Sequence, residues 1–184
     1  IGTTDRQVNT IQFDSRKITP NDVFVAQRGV TVDGHLFIDK ATQLGAKVII
    51  CEELPENIST EVSYVRVEDS NSALAVLSSN YYENPSSKLK LIGVTGTNGK
   101  TTIASLLFQL FKNAGFKTGL LSTVKVVVNE KEFSATHTTP DSITINSYLH
   151  QMVLEGVDYC FMEVSSHGIH QKRTHGLHFE GGVF

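Results

Sequence analysis

The chain has 184 residues, which at about 150 residues per domain accommodates one large domain or two small ones. Its 40% hydrophobic residues, 19% charged residues and 4 Pro are those of a globular protein with a sizeable apolar core, and they exclude a disordered chain. The 16 Lys and Arg nearly balance the 19 Asp and Glu, so no strong field calls for nucleic acid or an anionic membrane, and a small or mixed-charge partner fits better.

The first half alternates short apolar runs with helical patterns. DVFVAQ reads as a strand, HLFIDKATQLG as a helix ended by Gly45, and AKVIICEE as the next strand. SYVRVE follows as a strand, then SNSALAVLSSNYYEN, in which Ala73, Leu74, Leu77 and Tyr81 recur at helical spacing behind a cap at Asp69 or Ser70. Tyr81 and Tyr82 read as helix packing. ENPSSKLK combines Pro, Ser and alternating Lys and reads as a linker. These patterns place a small α/β domain at residues 1–87 and a second domain at 88–184.

In the second part LKLIGVT is a buried-type strand. TIASLLFQLFKNAG puts Ile103, Leu106, Leu107, Leu110, Phe111 and Ala114 on one helical stripe, with Gly115 after it. KTGLLST completes a βαβ unit, and VKVVVNEKEF places a hairpin turn at Asn129 to Lys131. TTPDSITINSYLHQMVLEG starts a helix with Thr139 as cap, Pro140 at its first position and Asp141 in its first turn, and Gly156 ends it. DYCFMEV is a buried strand that opens into SSHG. Cys51 and Cys160 each lie in an apolar run, the setting of a buried reduced thiol rather than a disulfide. No run reaches the ~18 apolar residues of a membrane span and the polar start lacks a signal-peptide core, which points to a cytoplasmic address. An initial Ile and a final apolar GGVF read as the ends of a piece cut from a longer protein.

The chemistry concentrates in LIGVTGTNGKTT, Leu91 to Thr102. A glycine-rich loop between a buried strand and a helix lets backbone N–H groups converge on an anion, and the helix N-terminus adds roughly half a positive charge. Gly96 and Gly99 permit close approach, Thr97 and Asn98 complete the loop, Lys100 can reach the β and γ phosphates, and Thr101, followed by Thr102, can coordinate Mg²⁺. The strict phosphate-loop pattern G-x-x-x-x-G-K-[ST] misses by one position, since Val94 stands where its first Gly belongs. Strand, loop, Lys-Thr and helix nevertheless agree on binding a nucleotide triphosphate. Glu163 closes a strand, where an α/β sheet displays functional groups, and it faces the loop if the two strands are neighbours.

GTNGKTT resembles the ATP loop of the Mur ligases, which extend the cytoplasmic peptidoglycan precursor one amino acid at a time. FDSRKI, DVFVAQRGVTVDGHLFI, THTTPDS and MEVSSHGIHQKR resemble, in order, signatures of the MurE-type branch, which adds the third residue to UDP-N-acetylmuramoyl-L-alanyl-D-glutamate. The resemblance covers nearly the whole chain. It implies an N-terminal substrate domain and the first part of a central ATPase domain with a mostly parallel sheet. The implied activity is an ATP- and Mg²⁺-dependent ligation through an acyl phosphate, with the UDP-N-acetylmuramoyl dipeptide and a diamino acid, meso-diaminopimelate or lysine, as substrates. Lys100 and Glu163 become catalytic, with Thr101 and Glu163 at the metal. His137, Thr138, Thr139, Ser165, Gln171 and Arg173 match positions that hold the muramoyl peptide. Ser15 and Val30, Thr31 and Val32 align with uridine and pyrophosphate contacts, partly through backbone groups. The family often carries His-Gln-Ala-like residues at those last three positions, and Asn at that of His137.

By the same resemblance an Asp-His segment, a carbamylated lysine and the amino-acid site lie beyond Phe184, which leaves the diamino acid open; a monomer is the default. His167, His170, His175 and His178 lack the further ligands of a zinc site and read as polar-loop residues. Folylpolyglutamate synthetases share the loop but usually read GTNGKGS and lack the FDSR resemblance. Another Mur branch and a non-catalytic nucleotide-binding regulator are the remaining alternatives, while the missing N-K-x-D signature disfavours a GTPase.

Overall fold

The computed structural model describes residues 1–29 and 32–184. Contacts divide the chain into two compact units, Ile1–Leu77 and Ser78–Phe184.

In the first unit, buried apolar runs make a four-stranded parallel sheet of β1 (Ile11–Gln12), β2 (Val23–Val25), β3 (Val48–Cys51) and β4 (Ser63–Arg66), ordered β1-β2-β3-β4. Gly34–Phe37 form a 3-10 turn capped by Asp33, which leads into helix α1 (Ile38–Gln43). Gly45 ends that helix region at φ +102, a conformation open to glycine. Phe24, Ile38, Ala41, Ile49, Cys51 and Tyr64 belong to the core. Asp22 is buried but satisfied: its carboxylate accepts from the amides and hydroxyls of Thr10 and Thr19 at 2.8–3.2 Å. Helix α2 (Ser70–Tyr81) starts behind Asp69, whose carboxylate accepts the Ser72 N–H at 2.9 Å. Its buried positions are Ser70, Leu74, Ala75, Ser78 and Ser79, whereas Tyr81 is exposed, so the packed stripe is rotated from the one read off the apolar spacing.

The second unit is built on β5 (Lys90–Val94), β6 (Thr118–Leu121), β7 (Lys125–Val128), β8 (Lys131–Ser134), β9 (Tyr159–Glu163) and β10 (Gly181–Val183), ordered β10-β5-β9-β6-β7-β8. The first four in that order are parallel, and β7 and β8 close the sheet as an antiparallel hairpin turning at Asn129 and Glu130. Helices α3 (Lys100–Asn113), α4 (Ser142–Leu154) and α5 (Ser166–His170) accompany the sheet. Alternation along the strands splits the core in two. Leu91, Leu121, Cys160 and Met162 pack with Ile145, Leu149 and Met152 of α4, while Val94, Leu120 and Phe161 pack with Ala104 and Phe108 of α3. Both Cys51 and Cys160 are buried free thiols, and burial pushes the Cys160 thiol far above the usual range. Pro85–Ser87 form a 3-10 turn in which Pro85 and Ser86 are buried, and the Ser86 hydroxyl accepts the His178 N–H at 3.0 Å. That part of ENPSSKLK is packed rather than an open linker.

Two helix expectations need correction. The packed face of α3 runs through Ile103, Ala104, Leu107, Phe108 and Phe111, while Leu106 and Leu110 are more than 60% exposed. The cap of α4 is Asp141, which accepts the Thr144 N–H at 2.9 Å, and not Thr139, whose hydroxyl is engaged elsewhere. Among the described residues no helix is long and apolar enough to cross a membrane.

Candidate phosphate-loop site

Strand β5 ends at Val94, and α3 begins at Lys100. The turn between them requires Gly96 at φ +132 and Gly99 at φ +81, where a side chain would be strained. Among the described residues none accepts a hydrogen bond from the backbone N–H groups of Gly96 to Thr102. These donors, at the positive end of a helix of 14 residues, form an anion cradle. Lys100 folds back over it, donating from Nζ to Gly96 O at 2.8 Å and to Thr97 O at 3.3 Å, so its charge lies over the loop.

Register places the carboxylate opposite. Val94 pairs with Glu163 across β5 and β9, so the loop and the carboxylate leave adjacent strands at the same end of the sheet. Glu163 is 1% exposed, not the solvated strand-end carboxylate that its position alone would imply. Its Oε2 accepts the Thr101 hydroxyl at 3.0 Å and the Thr123 hydroxyl at 3.0 Å, and Oε1 accepts the Thr123 N–H at 2.8 Å. These three donors offset the cost of burying the carboxylate. Thr123, which follows β6, escaped the sequence reading. Its signal was available, because β6 is parallel to β9 and a hydroxyl just past a strand's carboxyl end sits where such sheets bind ligands.

A hard cation would find the Thr101 hydroxyl and the Glu163 carboxylate together here. Among the described residues no group of three or more His, Cys, Asp or Glu could hold a metal ion. Mg²⁺, which keeps waters and borrows substrate phosphates, fits a donor set this sparse.

A second shelf adjoins Glu163. The buried Thr139 hydroxyl donates to Glu163 O at 3.0 Å and accepts the Ser165 N–H at 2.9 Å. Arg173 donates from Nη1 to Thr139 O at 2.6 Å and from Nε to Gln171 Oε1 at 2.9 Å. Thr138 reaches Thr123, hydroxyl to hydroxyl at 3.0 Å. Gly168 is required, since a Cβ there would lie 2.7 Å from Thr139 Cγ2. His137 stays exposed, with Nδ1 3.2 Å from the Thr136 hydroxyl.

Ser15 and Val32 belong to the first unit, where with Phe13, Gln27, Phe37 and Lys40 they line a cavity of about 620 Å³. Ser15 opens a 3-10 turn capped by Asp14. The Arg16 guanidinium beside Asp14, at 2.8 and 2.9 Å, holds that carboxyl at about 2. Val30 and Thr31 lie outside the described residues.

A parallel sheet that presents a glycine-rich loop, a helix N-terminus and a buried carboxylate at adjacent strand ends defines a phosphate-loop α/β domain. The comparisons narrow the class: the Mur ligase middle domain matches residues 94–184, the Mur ligase family catalytic domain matches residues 7–82, and the chain belongs to the Mur ligase family. It is 54% identical over 184 residues to the UDP-N-acetylmuramoyl-L-alanyl-D-glutamate--2,6-diaminopimelate ligase of Cytophaga hutchinsonii, and 45% identical over 185 residues to that of Clostridium tetani. In both alignments the chain is fully covered but spans 38% of the relative's length. A solved structure of a ligase of the same description superposes over 99% of this chain and 38% of its own, at TM-score 0.82 and 24% identity. The MurF ligase of Thermotoga maritima in complex with ADP superposes over 86% of this chain and 32% of its own, at TM-score 0.55 and 24% identity. At that identity both show the fold alone.

Proposed function

We propose that this chain is the substrate- and ATP-binding portion of a cytoplasmic ligase that joins a diamino acid to UDP-N-acetylmuramoyl-L-alanyl-D-glutamate in peptidoglycan precursor synthesis. The observation that carries the reading is the pairing of the glycine-rich loop with Glu163 through Thr101 at 3.0 Å. The names of the relatives favour 2,6-diaminopimelate over lysine.

In this reading the N–H groups of Gly96 to Thr102 and the Lys100 ammonium hold the ATP phosphates, and Thr101 and Glu163 hold Mg²⁺. Bound there, Mg²⁺ neutralises phosphate charge during transfer to the substrate carboxylate. Lys100 is already within reach of the loop, so it reorients by one side-chain swing from backbone carbonyls to phosphate oxygens. Thr123 and Thr139 keep Glu163 aimed, by bonds to its carboxylate and to its backbone respectively. Thr138, Ser165, Gln171 and Arg173 supply hydroxyl, amide and guanidinium groups suited to a carboxylate-bearing peptide. The amine of the diamino acid then attacks the acyl carbon of the acyl phosphate: the C–N bond forms as the C–O bond to phosphate breaks, inorganic phosphate leaves, and the amine nitrogen gives up a proton. Residues to about Ser87, a piece that keeps α2 whole, bind the uridine diphosphate end in the Ser15 cavity, whose lining includes Val32.

Titration with ATP and, separately, with the UDP-N-acetylmuramoyl dipeptide tests this reading. A ligase portion binds both. A nucleotide-binding regulator ignores the muramoyl compound, and that result would overturn the assignment.

A further inference from the structure

In the first unit, the described residues on either side of positions 30 and 31 are fixed by a network that the cavity lining does not itself explain. Arg28 and Asp33 face each other as an isolated antiparallel bridge. Gly29 N–H donates to Val32 O at 3.0 Å and Gly34 N–H to Gln27 O at 2.7 Å. A Cβ on Gly34 would lie 2.6 Å from Gln27 O, so only glycine allows that closure. Gln27, Gly29, Val32 and Gly34 all line the Ser15 cavity.

His35 stands at the base of this wall, with its side chain 13% exposed. Its Nδ1 lies 2.6 Å from Asp33 Oδ1, which also accepts the His35 N–H at 2.9 Å. On the other side Nε2 accepts the Glu52 N–H at 2.9 Å, just past the end of β3. A ring nitrogen that accepts an N–H carries no proton, so the hydrogen bonds assign the tautomer with the proton on Nδ1, donated to Asp33. Glu52 is held in turn: its Oε2 is 2.8 Å from Arg28 Nε, and its Oε1 accepts the Ser70 N–H and hydroxyl at 2.9 and 2.8 Å. Arg28 also pairs with Glu53. The charged groups around the ring, Asp33, Glu52, Glu53 and Arg28, thus join the cavity wall, the end of β3 and the start of α2.

We propose that His35 is a positioning residue for this cavity: its unprotonated Nε2, by accepting the Glu52 N–H, pins the Asp33–Gly34 wall to the end of β3 and so sets affinity for the uridine diphosphate end of the substrate. The proposal rests on the reading that the cavity takes that end. The ring touches no substrate; it acts through Asp33 and Gly34. The acceptor is what matters, because without it the Glu52 N–H is left without its partner and the wall loses a direct tie to the end of β3.

The test measures Kd for UDP-N-acetylmuramoyl-L-alanyl-D-glutamate and for ATP on the wild-type chain, His35→Gln and His35→Asn. Gln extends an amide oxygen to about the Nε2 position, whereas Asn reaches only that of Nδ1. His35→Asn should weaken the UDP compound about tenfold, the scale of one lost hydrogen bond. His35→Gln should stay within about threefold of wild type, and ATP affinity should be the same in all three. A His35→Asn variant with wild-type affinity for the UDP compound, a Gln variant as impaired as Asn, or a parallel loss of ATP affinity would each overturn the proposal. If the wild-type chain binds ATP and ignores the UDP compound, the assignment of the cavity fails first and takes the proposal with it.

Discussion

One hydroxyl, that of Thr139, serves two backbone groups at the ends of adjoining elements, and its removal should be costly. In Thr139→Val the Ser165 N–H and Glu163 O lose their partner beside a buried carboxylate. We expect a destabilisation of about 1–3 kcal/mol in urea unfolding, largely restored by Thr139→Ser. A valine variant as stable as wild type would contradict the bridging role. Asp14 offers a test by pH. Its folded carboxyl sits near 2 instead of the usual 3.8 because of Arg16. A lowered carboxyl contributes stability that is present above about pH 4 and lost as pH falls from there toward 2. Asp14→Asn should therefore narrow the stability difference between pH 5 and pH 2, as read by thermal unfolding; an unchanged pH slope would show that the pair contributes nothing.

At the scale of elements, Gly119 in β6 lies directly against Met152 of α4. A Cβ there would lie 2.5 Å from Met152 Sδ. Gly119→Ala should cost about 1–3 kcal/mol by overpacking, and Met152→Ala in the same chain should relieve part of it, which a double-mutant cycle of unfolding free energies measures. Additive losses would mean the two residues do not compete for space. Most elements were legible in the sequence, because buried strands, glycine stops and the loop-helix junction follow local rules; the two-residue β1 and the short α5, which takes in His167 and His170 that were read as loop residues, were not. The phase of α3 was not. Apolar residues occupy 103, 104, 106, 107, 108, 110 and 111, so more than one stripe satisfies helical spacing, and only the position of β9 selects the face through Ala104 and Phe108. Thr139 misled for a related reason: Pro140 marked the start of α4, but Thr139 is drawn to Glu163 and Ser165, so the cap passes to Asp141. Glu163 was legible as a strand-end carboxylate, whereas its burial depends on Thr123, which only the strand order brings beside it.

For the whole molecule, the two units divide the work proposed here between a uridine diphosphate cavity and a phosphate loop. Because the chain spans 38% of the relatives' length, we expect the 184-residue chain to bind both substrates yet form no tripeptide product from ATP, the muramoyl dipeptide and 2,6-diaminopimelate, as product analysis would show. Turnover near that of a full-length ligase would refute that expectation. The central claim is that Gly96 to Thr102, with Glu163, hold the phosphates of ATP and its Mg²⁺. Its most direct test is calorimetric titration of the chain with ATP and Mg²⁺, for wild type and for Lys100→Ala, whose unfolding should stay within about 0.5 kcal/mol of wild type. Losing one charge-assisted contact to phosphate is worth about 1.5–3 kcal/mol, so the account predicts an affinity lower by about ten- to a hundredfold in a folded variant. Equal affinities for wild type and Lys100→Ala would contradict it.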